Sequence, residues 1–410
     1  MQSKQKWLHF SIPLLLLLAS IVTGSVAVHA VSTFNQRPLT FSGNDTSKAP
    51  VPFMHRPYYG SRTMTQRIRS LFDHDKPTYE QDGIFVSYTG TRLTGNDVNN
   101  CTPGVNCYDG HNGYDLDMRF EPVLSAAAGT VVRAGWYNPV NHNDSFGLWV
   151  AIDHKNGVAT AYGHLSAITV TTGDQIGVQW QIGTSGTTGS STGPHLHFGT
   201  YYLNNIAWQP TDPFGWEGNY PDPNTVVDNY LWVSSPATNG TVPDLNAKGS
   251  AISPGATLVD DGDRSWSSNG KWTLDKATSE INGDLHWTYT SSDATTATAT
   301  WRPTIPKEGD YEIGVYIDLT YASSSWVPFT VNSVKSGNTK VAVSHTVYVD
   351  ESHVGNFQGP FGTLNTGPQW ISIGTYHFKA GTSGSVVMSN ATGEDGQEIA
   401  ADGIEFVPVG

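Results

Sequence analysis

Three short segments carry side chains able to do chemistry together. They are His111-Asn112-Gly113-Tyr114-Asp115, Tyr162-Gly163-His164-Leu165-Ser166 and Gly193-Pro194-His195-Leu196-His197-Phe198. A catalytic zinc takes three protein ligands from His, Asp or Glu and leaves a fourth position for water, whose pKa it lowers to about 7. On an extended strand, side chains an even number of positions apart share a face. His111 and Asp115 are four apart, and His195 and His197 are two apart, so each pair can converge. Three of these four can bind a metal, with the fourth beside the water. Taken singly, His-x-His and His-x-x-x-Asp are ordinary surface or core features. Their weight comes from their order within one strand-rich stretch. Asp117 reads as structural, and His142 and His154, beside turn residues, read as facing solvent.

These side chains need a rigid frame. Residues 108–219 supply it as short β-type runs at 122–125, 129–135, 148–152 and 159–162. Turn signals such as Lys155-Asn156-Gly157 and Thr172-Gly173-Asp174 separate the runs, which predicts an antiparallel β domain. Upstream, residues 53–107 read as an extension packed on that domain, with a short helix around 65–72. Residues 31–52 are polar and read as a flexible lead-in. Residues 220–256, rich in Pro, Asn, Gly, Ser and Asp, read as a linker. From 257 to 410 the chain turns to strands rich in Thr, Val, Ile, Trp and Tyr with no helical period, which predicts a separate β-sandwich of jelly-roll type. The fold class expected is therefore all-β.

Composition narrows the function classes. The 410 residues are only 14% charged, with a net charge of −14. A general role in binding nucleic acid is thereby disfavoured. Lys4 and Lys6, the leucine run from Leu14 to Leu18 and Val28-His29-Ala30 form the layout of an export signal cleaved after Ala30 (residues 1–30). No later stretch is long and apolar enough to span a membrane, so stable insertion after cleavage is not expected. The two cysteines, Cys101 and Cys107, lie close together in a Gly/Pro/Asn loop. An even pair this close in an exported chain reads as a disulfide.

Residues 111–213 resemble the lysostaphin-type (LytM-like) zinc endopeptidases of bacterial cell walls. The resemblance runs through an ordered set: H-N-G-Y-D, P-V-L-S-A-A-A-G-T-V-V-R-A-G, D-H-K-N-G, T-A-Y-G-H-L-S, T-G-D-Q-I and I-G-T-S-G-T-T-G-S-S-T-G-P-H-L-H-F. Short motifs rarely recur by chance as a whole ordered series. The resemblance implies one Zn2+ per chain held by His111, Asp115 and His197. It implies that His164 and His195 flank the attacking water as catalytic histidines. It implies a secreted, wall-associated enzyme acting on peptidoglycan cross-bridge or stem peptides. Some members of that superfamily are inactive activators of other wall hydrolases or wall-binding proteins, which is the alternative reading. Some relatives are held latent by an upstream Asn, a role for which Asn99, Asn100 and Asn106 are placed. Gly183, Gly186, Gly189 and Gly193 read as turn formers that let a substrate backbone approach.

The stretch 257–410 resembles the β-sandwich at the end of golvesin-like and xanthan-lyase-associated proteins. The residues that carry this include Leu258-Val259-Asp260-Asp261, Ala299-Thr300-Trp301-Arg302-Pro303, Gly309-Asp310-Tyr311-Glu312-Ile313 and Ala400-Ala401-Asp402-Gly403-Ile404-Glu405-Phe406. The resemblance implies polysaccharide binding, with Trp266, Trp272, Trp287 and Trp326 as candidates to stack on sugar rings. Trp301 and Trp370 read as core.

Overall fold

A computed structural model describes residues 52–73, 83–87, 92–102, 107–204, 207–214, 231–233, 251–276, 279–353, 356–359, 362–365 and 368–409. The expected export signal, nearly all of the expected lead-in, most of the expected 220–256 linker and Asn106 lie outside these residues. The described chain is all-β apart from two four-residue α-helices and one 3-10 turn.

The first sheet is antiparallel and carries the histidine segments. Its order is Ile68–Ser70, Tyr114–Leu116, Leu196–Asn204, Val158–Gly163, Leu148–Asp153, Gly129–Trp136 and Gln175–Ile176, with Ala207–Thr211 paired beside Leu196–Asn204. Period-two alternation orients it. Tyr114, Leu116, Leu148, Val150, Ile152, Tyr162, Leu196 and Phe198 point into one core and are fully buried. The residues between them, Asp115 and His197 among them, therefore share the opposite face.

The upstream helix is shorter than the sequence predicts. It spans Met64–Arg67, closed by a capping box in which Thr63 and Gln66 satisfy each other's backbone N–H. Beyond it the backbone of Ile68–Ser70 finds a better partner in Tyr114–Leu116 and becomes a sheet edge. Cys101 and Cys107 form a disulfide.

The C-terminal strands build a sandwich that shares a sheet with the N-terminal domain. That eight-stranded sheet runs Trp266–Asn269, Thr298–Trp301, Ser385–Ser389, Val327–Lys335, Asn338–Val349, then Leu165–Ile168, Gln181–Ser185 and Pro122–Leu124. The join is Tyr348 opposite Ile168 and Val349 opposite Ala167. A four-stranded sheet of Thr257–Val259, Ile404–Pro408, Gly309–Ile317 and Gln369–Phe378 packs on it. Ile313, Val315, Phe329, Val331, Ile371, Ile373, Val386, Met388, Ile404 and Phe406 fill the space between. Ala167 and Phe120 belong to this second core, and Trp326 packs against the first. Polar bonds cross the same seam: Gln181 Nε2 donates to Ser372 Oγ at 2.7 Å, and the Asp350 N–H to Ser166 O at 2.7 Å.

Candidate metal centre

Register across three neighbouring strands assembles the site. His197 pairs with Asp115 on one side and with Gly163 on the other, which brings His164 alongside. His195 is bridged to Gly186. The result is a tight triangle: His111 Nε2 to Asp115 Oδ1 is 3.2 Å, His111 Nε2 to His197 Nδ1 is 3.2 Å, and His197 Nδ1 to Asp115 Oδ1 is 3.1 Å. His195 Nε2 lies 3.5 Å from the same carboxylate oxygen. The His164 ring centroid is 4.6 Å from that of His195 and 5.8 Å from that of His197. All five candidates read from the sequence are thus brought together.

The surrounding chain fixes how each ring is presented. His111 Nδ1–H donates to Leu71 O at 2.7 Å, which turns its unprotonated Nε2 toward the triangle. His164 Nδ1 and His195 Nδ1 are held in the same way by Thr188 O and Gly193 O, each at 2.7 Å. Asp73 grips the His111 segment from both sides: its N–H donates to His111 O, and its carboxylate accepts the Gly110 N–H. Gly113 is required by space, because a Cβ there would stand 2.7 Å from His197 Nε2 and 2.7 Å from Phe198 O. Phe146 closes one wall, with its ring centroid 5.2 Å from that of His197.

Electrostatics follow from burial and mutual contact. Burial works against charge on His111, but the Asp115 carboxylate outweighs it and raises the imidazole's pKa. Burial likewise opposes ionisation of Asp115, yet His111 and His195 hold its carboxyl well below the usual range. His164 is pushed far down by burial and by His195 and His197, so it is neutral at physiological pH. Burial, only partly offset by Asp115, also lowers His197. For His195 the Asp115 charge overcomes burial and raises the pKa.

Other sequence expectations fare unevenly. Asp117 is structural: it pairs with Arg69 at 2.8 Å and Arg62 at 3.4 Å. His154 does not face solvent. It is buried, with Ala128 O and Thr160 Oγ1 taking up its two ring nitrogens, so a turn beside a histidine was no guide to its exposure. His142 stacks on Trp136 with ring centroids 3.8 Å apart and bonds Ser325 across the seam at 2.9 Å. Of the four glycines read as turn formers, only Gly189 has positive φ; Gly183 and Gly186 are small because the strand Leu165–Ile168 passes too close for a Cβ. The four tryptophans proposed to stack on sugars are half-buried. Trp287 stacks on Tyr321, Trp326 on Tyr348 and Trp266 lies against His286, while Trp272 packs on the core. The aromatics most open to solvent among the described residues are Trp180 and Tyr289. Sequence reasoning missed Leu71, Asp73 and Phe146. Only the apolar burst around residues 71–72 hinted at the first of these.

Comparison with known proteins identifies two families along the chain. The family model described as Peptidase family M23 matches residues 109–213, and that described as Golvesin C-terminal domain matches residues 257–408. The glycyl-glycine endopeptidase ALE-1 of Staphylococcus capitis is 36% identical over 124 residues, 29% of this chain and 33% of that protein. The peptidoglycan DD-endopeptidase ShyA of Vibrio cholerae is 42% identical over 89 residues, 22% of this chain and 19% of that protein. These matches span a third or less of each relative's own length. Among solved structures, the catalytic domain of the antimicrobial peptidase lysostaphin from Staphylococcus simulans aligns at 32% identity with a TM-score of 0.23, covering 28% of this chain and 84% of that one. Residues 109–213 are therefore a domain of peptidase family M23, and residues 257–408 a Golvesin C-terminal domain.

Proposed function

We propose that the chain is an exported zinc endopeptidase that hydrolyses peptide bonds in peptidoglycan, with the metal held by His111, Asp115 and His197. The observation that carries this reading is the triangle of donor atoms. Tetrahedral zinc at about 2.0–2.1 Å from its ligands sets donor atoms about 3.3 Å apart. The three edges here are 3.1–3.2 Å. Two imidazole nitrogens and a carboxylate oxygen converging in a buried site are also poorly arranged without a cation between them. Bound there, zinc supplies a Lewis acid that polarises a carbonyl and acidifies water.

The protein's own groups do the rest. Leu71 O fixes the His111 tautomer, and the strand register aims Asp115 and His197. His164, with Nδ1 occupied by Thr188 O, keeps Nε2 available to act on substrate or water, and His195, with Nδ1 occupied by Gly193 O, turns Nε2 to within 3.5 Å of Asp115 Oδ1 in the same site. Between them they divide two tasks, taking a proton from the attacking water and donating to the developing oxyanion. ALE-1 and ShyA are by name endopeptidases of glycyl-glycine bonds and of peptidoglycan, which supports the substrate class. Retention of all five side chains argues against the alternative of a non-catalytic wall-binding protein or activator.

The test is release of free amines from purified cell walls. Release should stop with chelator, return with zinc, and be absent in His197→Ala, which should also lose its stoichiometric zinc. Turnover by a zinc-free His197→Ala protein would remove the assignment.

A further inference from the structure

A second buried cluster lies in the C-terminal domain, outside the histidine site. Asp260 and Asp261 follow the strand Thr257–Val259, and Asp402 occupies the turn between Glu398–Ala401 and Ile404–Pro408. They are only 3%, 2% and 2% exposed, and one carboxylate oxygen from each lies within 4.8 Å of the others. Their Oδ2 atoms are anchored. Asn282 donates to Asp260 at 2.8 Å, His286 Nδ1 pairs with Asp261, and the Ile281 N–H donates to Asp402 at 3.2 Å. Their Oδ1 atoms are buried and have no hydrogen-bond partner. Asp284 and Asp263 add negative charge nearby. Among the described residues no Lys or Arg pairs with any of the three, and His286 is the one basic side chain in contact.

Three buried carboxylates packed together, each with one orphaned oxygen, are costly in a protein interior unless a cation or protons neutralise them. The anchored Oδ2 atoms hold the Oδ1 atoms in place, as outer-shell bonds do at metal sites. All three free donors are hard oxygens, which excludes a soft or borderline ion as the natural occupant. The donors come from loops rather than one regular element, and backbone carbonyls and water can complete an irregular shell of six to eight, as Ca2+ accepts and Mg2+ does not.

We propose that Asp260, Asp261 and Asp402 form a calcium site that ties the end of the first strand of the C-terminal domain to the link between its last two strands, which lie in different sheets. The site is independent of the reading of the histidine centre. Trp301, deep in the domain core, is coupled to it, because its indole N–H donates to Asp402 O at 2.8 Å.

The experiment is a thermal melt of the full exported chain with the histidine centre saturated by zinc in every sample. Millimolar CaCl2 should raise the melting temperature by about 5 °C. The rise should saturate with a dissociation constant on the order of 10⁻⁴–10⁻³ M. Asp402→Asn should fold, retain its zinc and lose the calcium response. No rise in the wild type, an undiminished rise in Asp402→Asn, or a larger rise with MgCl2 would each overturn the proposal. Should Asp402→Asn fail to fold, calorimetric titration of calcium into the zinc-loaded wild type decides. One calcium per chain, displacing terbium whose emission is excited through tryptophan, supports the site; no binding heat rejects it.

Discussion

The two domains bury their carboxylates in different company. In the M23 domain Asp115 sits in mid-sheet, locked by register opposite His197 and faced by two further imidazoles. In the Golvesin C-terminal domain Asp260, Asp261 and Asp402 lie at strand ends, surrounded by other acids and one histidine. The first set mixes nitrogen and oxygen donors and is built on rigid strands, which suits a borderline ion and chemistry that needs fixed geometry. The second is all oxygen on turns, which suits a hard ion that staples loops. Burial raises the cost of charge in both places. What differs is whether the protein's own side chains offset it.

The sharpest way to break the comparison is to remove a proposed catalytic group without touching a proposed metal ligand. His164→Asn should leave zinc content unchanged while kcat/KM for wall hydrolysis falls by about 10²–10⁴. If the zinc content falls in step with activity, His164 belongs to the metal-binding set and the division of roles drawn here is wrong.

A smaller effect tests whether the mid-sheet site depends on register and close packing. In Gly113→Ala the new methyl meets His197 Nε2 and the Phe198 carbonyl, each at 2.7 Å. The backbone carbonyl cannot yield without moving the strand that carries His197. Zinc affinity should drop about 10- to 100-fold, the usual cost of disturbing a ligand's support. Unchanged affinity, measured by competition with a chelator, would show that the strand pair gives way freely.

These differences also decided what could be read from the chain itself. The histidine centre was legible because its side chains fall within short motifs whose ordered series resembles a known family, while even spacing alone left open which three of four would bind a metal. The oxygen cluster was not. Asp260-Asp261 and Asp402 are at opposite ends of their domain, and each looks like an ordinary loop residue until Thr257–Val259 pairs with Ile404–Pro408. The seam was equally silent. Alternation gives the faces of Leu165–Ile168 and Asn338–Val349 but not which edges meet. His154 and the half-buried tryptophans mark the same limit, since residue type and a neighbouring turn do not report what packs on top.

A third location of buried carboxylate sharpens the contrast with the smallest effect. Glu312 is fully buried near the seam, and among the described residues it belongs to no metal-type cluster. The hydroxyls of Ser372 and Thr375 donate to it, and Ser372 in turn accepts from Gln181 of the M23 domain. Burial, reinforced by Glu405, lifts its pKa from an ordinary 4.5 to about 7. The sign follows from linkage. Below pH 4.5 the group is protonated in both folded and unfolded chains and costs nothing. Between 4.5 and 7 the unfolded chain ionises first, so stability falls as pH rises; above 7 the full penalty is present. Two and a half units correspond to about 3 kcal/mol at most. Glu312→Gln keeps one acceptor for the hydroxyls and cannot ionise. Its stability relative to wild type in urea melts should therefore be flat or slightly lower at pH 4 and rise toward pH 8, by about 1–3 kcal/mol. A difference that does not change with pH would mean that the seam hydroxyls already stabilise the ionised carboxylate. Glu312 would then resemble Asp115 in being held charged by its neighbours, and the line drawn between the two domains would lie elsewhere.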